Sequence, residues 1–116
     1  MKLAIVGSRT FNDYEVIEEH INAQREIHDN LTLISGGTNG VGKLTIKYAQ
    51  MENLDIEVIR LSYKNNPPDL VYLIRNREIA FKCDQMLAFW DGKSRGTKNV
   101  IEHAVSLKKF VMIQGV

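Results

Sequence analysis

Five short apolar runs separated by four stretches of helical periodicity constrain this chain more than any other feature of its sequence. The runs are Leu3–Val6, Leu31–Ile34, Ile56–Ile59, Gln85–Trp90 and Phe110–Ile113. The first is apolar throughout and stops at Gly7. A strand covered on one face alternates apolar with polar residues, so a continuous apolar run predicts a strand buried on both faces of a parallel sheet. Parallel strands need a crossover between them, and each interval supplies one. Asp13 is placed to cap a helix from Tyr14 to about His28, with Ile17, Ile21, Gln24 and Ile27 or His28 along one stripe. A second helix is predicted over Val41 to about Glu52. Pro67-Pro68-Asp69 reads as a stop followed by a start: Asp69 caps a third helix that buries Leu70, Leu73, Ile79, Ala80 and Cys83. The last helix is predicted from Gly96 to Lys108, with Val100, Ile101, Ala104 and Val105 facing inward. Right-handed crossovers turn this order into one Rossmann-like, doubly wound α/β domain of about five parallel strands over residues 1–116. Ligands of such sheets bind at the carboxyl ends of the strands.

Composition narrows the function. A chain that is 44% hydrophobic and 25% charged supports a folded core, and 116 residues supply one such core rather than two. Fifteen Lys and Arg against fourteen Asp and Glu leave a net charge of +1, which lacks the electrostatic footprint of a protein built for a long polyanion and argues against a nucleic-acid partner. Cys83 has no second cysteine to pair with and reads as core. Met1-Lys2 runs straight into the first strand with no apolar leader, and no run of 18 apolar residues follows, so a cytoplasmic protein without a membrane partner is expected. His20, His28 and His103 sit in helical segments without partners at metal-ligand spacing; neither a metal nor a cofactor is called for.

Three post-strand loops carry more than a connection requires. They are Gly7-Ser8-Arg9-Thr10, Gly36-Gly37-Thr38-Asn39-Gly40 and Asp91-Gly92-Lys93-Ser94-Arg95-Gly96-Thr97. Glycines let backbone amides approach an anion, helix N-termini add oriented N–H donors, and hydroxyls add further hydrogen bonds. One such loop is ordinary turn chemistry; three at one sheet edge point to a phosphate site. Arg9 is positioned to reach a phosphate bidentately. Within the polar cluster Arg75-Asn76-Arg77-Glu78 of the third helix, neighbouring residues point in different directions, and Arg75 with Asn76 or Glu78 is the pair predicted to face the site. Gly37 to Lys43 also fits G-x-x-x-x-G-K, but Leu44 stands where a Mg²⁺-binding Ser or Thr belongs, so the match to a nucleotide triphosphatase loop is incidental.

Together, Gly7-Ser8-Arg9-Thr10-Phe11, Ser35-Gly36-Gly37 with Gly40, Ile74-Arg75-Asn76-Arg77-Glu78 and Ala88-Phe89-Trp90-Asp91-Gly92-Lys93-Ser94-Arg95-Gly96-Thr97 resemble the SLOG superfamily, most closely its small YspA-type branch of bacteria and phages. The resemblance spans nearly the whole chain. It implies a Rossmann-like fold that binds nucleotides or their derivatives, with distant relatives among cytokinin-activating phosphoribohydrolases and the DNA-processing protein DprA, and it makes a homodimer an expectation by analogy. Phosphoribohydrolases carry P-G-G-x-G-T-x-x-E; here Val100 holds the glutamate position. Glu102 lies two residues on, roughly 200° round the helix, and does not replace it.

The first functional expectation is therefore binding, as sensing or sequestering, of a nucleotide-derived, phosphate-bearing small molecule such as an ADP-ribose-like ligand. Its expected contacts are Gly7, Ser8, Arg9, Thr10, Gly36, Gly37, Thr38, Gly40, Arg75, Asn76, Asp91, Gly92, Ser94, Gly96 and Thr97. The alternative is an N-glycosidic hydrolase with Arg75, Glu78 and Asp91 as catalytic candidates, since that reaction needs a carboxylate near the anomeric carbon. Single-stranded DNA binding ranks third.

Overall fold

The computed structural model describes residues 1–116. Its elements are β1 (Lys2–Gly7), α1 (Tyr14–Ile27), β2 (Thr32–Ser35), α2 (Val41–Met51), β3 (Ile56–Val58), α3 (Val71–Lys82), β4 (Gln85–Trp90), α4 (Arg95–Ser106) and β5 (Phe110–Gly115). The strands form one parallel sheet in the order β3-β2-β1-β4-β5, the expected Rossmann-like α/β architecture. β1 shows why its run had to be continuously apolar. Leu3 and Ile5 pack on one face with Ile17 and Ile21 of α1 and Val41 and Tyr48 of α2. Ala4 and Val6 pack on the other with Ile79 and Ala80 of α3 and Val100, Ile101 and Ala104 of α4. Burial removes each of these large aliphatic side chains from water for about 1.5–3 kcal/mol.

Several boundaries differ from the sequence reading, each for a local reason. α1 ends at Ile27, because the His28 backbone turns extended and its N–H closes the helix on the Gln24 carbonyl at 3.0 Å. Ile27 is consequently 70% exposed, and the buried stripe is Ile17 and Ile21. Asp69 does not cap α3. The Leu70 N–H donates to the Pro67 carbonyl at 2.9 Å, so a single turn precedes the helix and Leu70, not Asp69, occupies the cap. Val71 then takes the buried place expected for Leu70, which is 40% exposed. α4 begins at Arg95 and ends at Ser106, where the Leu107 N–H folds back on His103 and Ala104 and Lys108 adopts φ 60°. That exit leaves Val105 on the outside. Cys83 is buried as expected, and burial pushes its thiol pKa up. Beside it, the Lys109 ammonium donates to the Phe81 and Cys83 carbonyls at 3.2 and 2.6 Å, tying the end of α3 to the start of β5.

β1 lies at the centre, between β2 and β4, and is the hinge of the topology. Its pairing with β4 runs from Leu3↔Gln85 to Gly7↔Phe89. The join is reinforced where the Asp84 N–H donates to the Lys2 carbonyl and the Lys2 N–H donates to the Asp84 carboxylate, both at 2.8 Å. The chain progresses outward from β1 to β3 on one side and from β4 to β5 on the other. Such a reversal opens a crevice above the carboxyl ends of the two central strands.

Candidate functional site

That crevice holds a cavity of about 200 Å³. The end of β1 contributes Gly7 and Arg9, the turn after β2 contributes Gly36 and Thr38, and the start of α4 contributes Ser94, Gly96 and Thr97. α3 leans over it with Tyr72, Arg75 and Asn76. Nine of the expected contacts thus converge on one space.

Arg75 is the most constrained of them. Its Nη1 donates to the Gly36 carbonyl at 3.3 Å, while Nε and Nη2 donate to Asn76 Oδ1 at 3.4 and 3.2 Å. The guanidinium lies so close to the β2–α2 turn that a Cβ at Gly36 would stand 2.9 Å from Nη1 and displace the arginine from this position. Tyr72 contacts both Arg75 and the more exposed Arg9: the two guanidinium carbons lie 5.6 and 4.8 Å from the ring centroid. Neither arginine has a carboxylate partner, since the ion pairs are Arg25–Glu52, Lys82–Glu57 and Lys82–Glu78. Burial and, after it, the Arg9 charge lower the Arg75 pKa from its ordinary value. Two cations thus face a cavity whose lining contains no Asp or Glu.

Asn76 anchors this arrangement. It is buried, accepts from Arg75, and donates through Nδ2 to Asn99 Oδ1 at 3.0 Å and the Gly96 carbonyl at 3.4 Å, linking α3 to α4. Asn76→Ala is expected to destabilise the fold by about 1–3 kcal/mol, because it leaves buried partners unpaired. Urea denaturation checks it; an unchanged midpoint would show that the link carries nothing.

At the opposite wall, the first-turn amides of α4 have no partner within their helix. The Ser94 and Thr97 hydroxyls lie 3.2 Å apart there. Trp90 braces the approach by donating Nε1–H to the Ser94 carbonyl at 3.0 Å. Asp91 sets the loop: its Oδ1 accepts the Ser94 and Lys93 amides, both at 2.8 Å, and those hydrogen bonds hold its carboxyl below the usual carboxylate range.

The remaining expected residues divide. Ser8, Thr10 and Asp91 line a second, more open cavity of about 470 Å³ on the α1 side of the β1–α1 loop. Gly37, Gly40 and Gly92 line neither cavity. Gly40 instead packs loop on loop at φ 75°, where a Cβ would meet the Ser8 carbonyl oxygen at 2.2 Å. Glu78 is exposed, ion-paired with Lys82 at 3.5 Å, and lines neither cavity. The G-x-x-x-x-G-K segment spends its amides internally: Val41, Lys43 and Leu44 donate to the Ser8, Thr38 and Gly40 carbonyls at 3.2, 2.8 and 3.0 Å. Sequence reasoning missed Tyr72. Its signal was the three-residue spacing to Arg75, which places both on one face of a helix.

Comparison with solved structures finds the same fold in proteins of low identity. DNA processing protein A (DprA) from Streptococcus pneumoniae superposes with a TM-score of 0.81 at 19% identity, over 99% of this chain and 50% of that one. The structure describing single-stranded DNA binding by DprA from Helicobacter pylori gives 0.75 at 20% identity, over 97% and 64%. The structural-genomics target TM1055 gives 0.69 at 17% identity, over 95% and 71%. This chain thus spans about half the length of the pneumococcal protein. No curated protein sequence matches it significantly. A family comparison matches residues 1–65, which carry the first two glycine-bearing loops, to the YspA, cpYpsA-related SLOG family. That match takes in more than half of the 116 residues, and the chain belongs to the YspA, cpYpsA-related SLOG family.

Proposed function

We propose that this chain binds a phosphate-bearing, nucleotide-derived small molecule in the crevice above β1 and β4, with Arg9, Arg75 and the α4 N-terminus holding the phosphate. The observation that carries this reading is the pair of arginines without carboxylate partners, aimed at a cavity that has no acidic lining. Bringing a cation out of water without a partner is costly, and an anionic ligand offsets that cost. Membership of a SLOG family supports a nucleotide-related ligand. Thermal-shift measurements against nucleotides, cyclic nucleotides and ADP-ribose derivatives test it. A ligand at a hundred times its Kd adds about 2.7 kcal/mol of stability, and no stabilisation by any member of the panel would refute the proposal.

N-glycosidic hydrolysis is less well supported, because Val100 lines the cavity at the glutamate position and Glu78 lies outside it. Single-stranded DNA remains a second reading on one observation, the DNA-binding DprA structure from Helicobacter pylori. Lys43, Lys47, Lys93, Arg95 and Lys98 are exposed and available to a strand. A gel shift with single-stranded DNA that weakens with salt would favour it; no shift at low salt would remove it.

A further inference from the structure

The second cavity has the opposite electrostatic character from the first, although the β1–α1 and β4–α4 loops contribute to both. Its lining contains no Lys or Arg side chain and one side-chain carboxylate, Asp91. Oδ1 of that carboxylate is occupied by the loop amides, whereas Oδ2 makes no hydrogen bond within the protein. The same cavity is lined by the Ser8 and Thr10 hydroxyls, 3.0 Å apart, and by Asn12 and Gln114, whose amide oxygen lies 3.2 Å from His20 Nε2. Phe11 supplies an apolar surface and is held in place by stacking on Phe89, centroid to centroid 5.8 Å. Phosphate would be repelled from such a space. A sugar suits it: ring C–H groups lie against an aromatic face while neighbouring hydroxyls donate to a carboxylate, as an acidic residue does toward ribose in dinucleotide-binding folds.

The two cavities adjoin through the β1–α1 and β4–α4 loops. Ser94 lines the first and its N–H donates at 2.8 Å to Asp91, which lines the second. Ser8 of the second lies between Gly7 and Arg9 of the first. We infer that the second cavity is a subsite for a vicinal diol, and that the ligand is a phosphorylated sugar or a nucleotide whose pentose enters it while its phosphate occupies the first. This inference rests on the anion-binding reading for its first half only; the diol preference stands on the second cavity.

The test is an NMR titration of the isotope-labelled protein with inorganic phosphate, D-ribose 5-phosphate and 2-deoxy-D-ribose 5-phosphate. Phosphate alone should move the amides of Arg75 and Gly96. Ribose 5-phosphate should in addition move those of Thr10, Asp91 and Gln114, and bind about tenfold more tightly than its deoxy analogue, the worth of one charge-assisted hydrogen bond. Asp91→Asn keeps an oxygen for the loop amides and should abolish the preference; Thr10→Val should reduce it. Silence of the Arg75 and Gly96 amides toward phosphate would count against the anion site. Response there with equal binding of the two sugars, or a tenfold preference that survives in Asp91→Asn, would overturn the diol subsite. Silence at both cavities would overturn both.

Discussion

Arg75→Ala should weaken binding of a phosphate-bearing ligand by roughly ten- to a hundredfold, the cost of about 1.5–3 kcal/mol for losing one charge-assisted hydrogen-bonding partner. Stability without ligand should change far less. The guanidinium does hydrogen-bond to Gly36 and Asn76, but it is partly buried without a carboxylate and lies near Arg9. Its removal therefore deletes favourable contacts and an electrostatic burden together. Calorimetric titration with the best ligand of the panel, paired with a ligand-free melting curve, separates the two effects. Arg75→Lys sharpens the test: a lysine keeps the charge and loses the planar fork, so it should recover only part of the affinity. Arg9→Ala should cost less, because Arg9 is exposed. An Arg75→Ala variant that binds normally, or that unfolds without ligand, would show the residue to be a helix anchor rather than an anion clamp.

The second large effect is expected on stability, from Gly40→Ala. The backbone there has φ 75° and ψ −128°, a conformation that side-chain-bearing residues rarely adopt. The added Cβ would lie 2.2 Å from the Ser8 carbonyl oxygen and 2.6 Å from the Arg9 carbonyl carbon, and backbone cannot swing aside as a side chain can. The clash would also pull apart the Val41 N–H bond to the Ser8 carbonyl, which joins the β1–α1 and β2–α2 loops at 3.2 Å. A loss of at least about 3 kcal/mol follows. Gly96→Ala is the matched control, with no atom within 4 Å of the new Cβ; its stability should stay within about 1 kcal/mol of wild type. Urea midpoints decide. Equal midpoints for the two variants would mean that the loops separate without cost.

The central strands β2, β1 and β4 were legible in the sequence because both their faces are buried, leaving apolar runs that helical periodicity does not mimic. The edge strand β5 departs from that expectation and leaves Phe110 and Ile113 exposed. Gln85–Trp90 matches β4 end for end. Helix ends were less legible, since Leu70 and Leu107 are placed by turns whose hydrogen bonds depend on a few backbone angles rather than on residue type. The candidate site was legible as a set of loops that meet at one sheet edge and not as two separate cavities. In an extended segment successive side chains point to opposite sides; Arg9 accordingly lines one cavity while Ser8 and Thr10 line the other. Glu78 illustrates the same limit on a helix. Its proximity to Arg75 in sequence suggested a shared task, yet Lys82, one turn further along, holds it on the outer face. The task of Asp91 as acceptor for two amides of its own loop was open to sequence reasoning, because an aspartate shortly before a helix commonly bonds the backbone two or three residues on.

The central position of β1 bears on how the molecule is made. Its partner β4 begins 82 residues after Leu3, so one side of the first strand stays uncovered until about three-quarters of the 116 residues are available. Residues 1–65 contain only the Gly7 and Gly36 sides of the first cavity; Arg75 and the α4 N-terminus arrive afterwards. Closing a loop of that length precedes any gain from the contacts it permits, which places such topologies among slower-folding small domains than helical bundles. During synthesis the nascent β1 therefore presents an open strand edge until β4 emerges. The proposed binding site is complete only after that closure, so the recovery of the proposed binding during refolding should follow the same rate as the burial of β1.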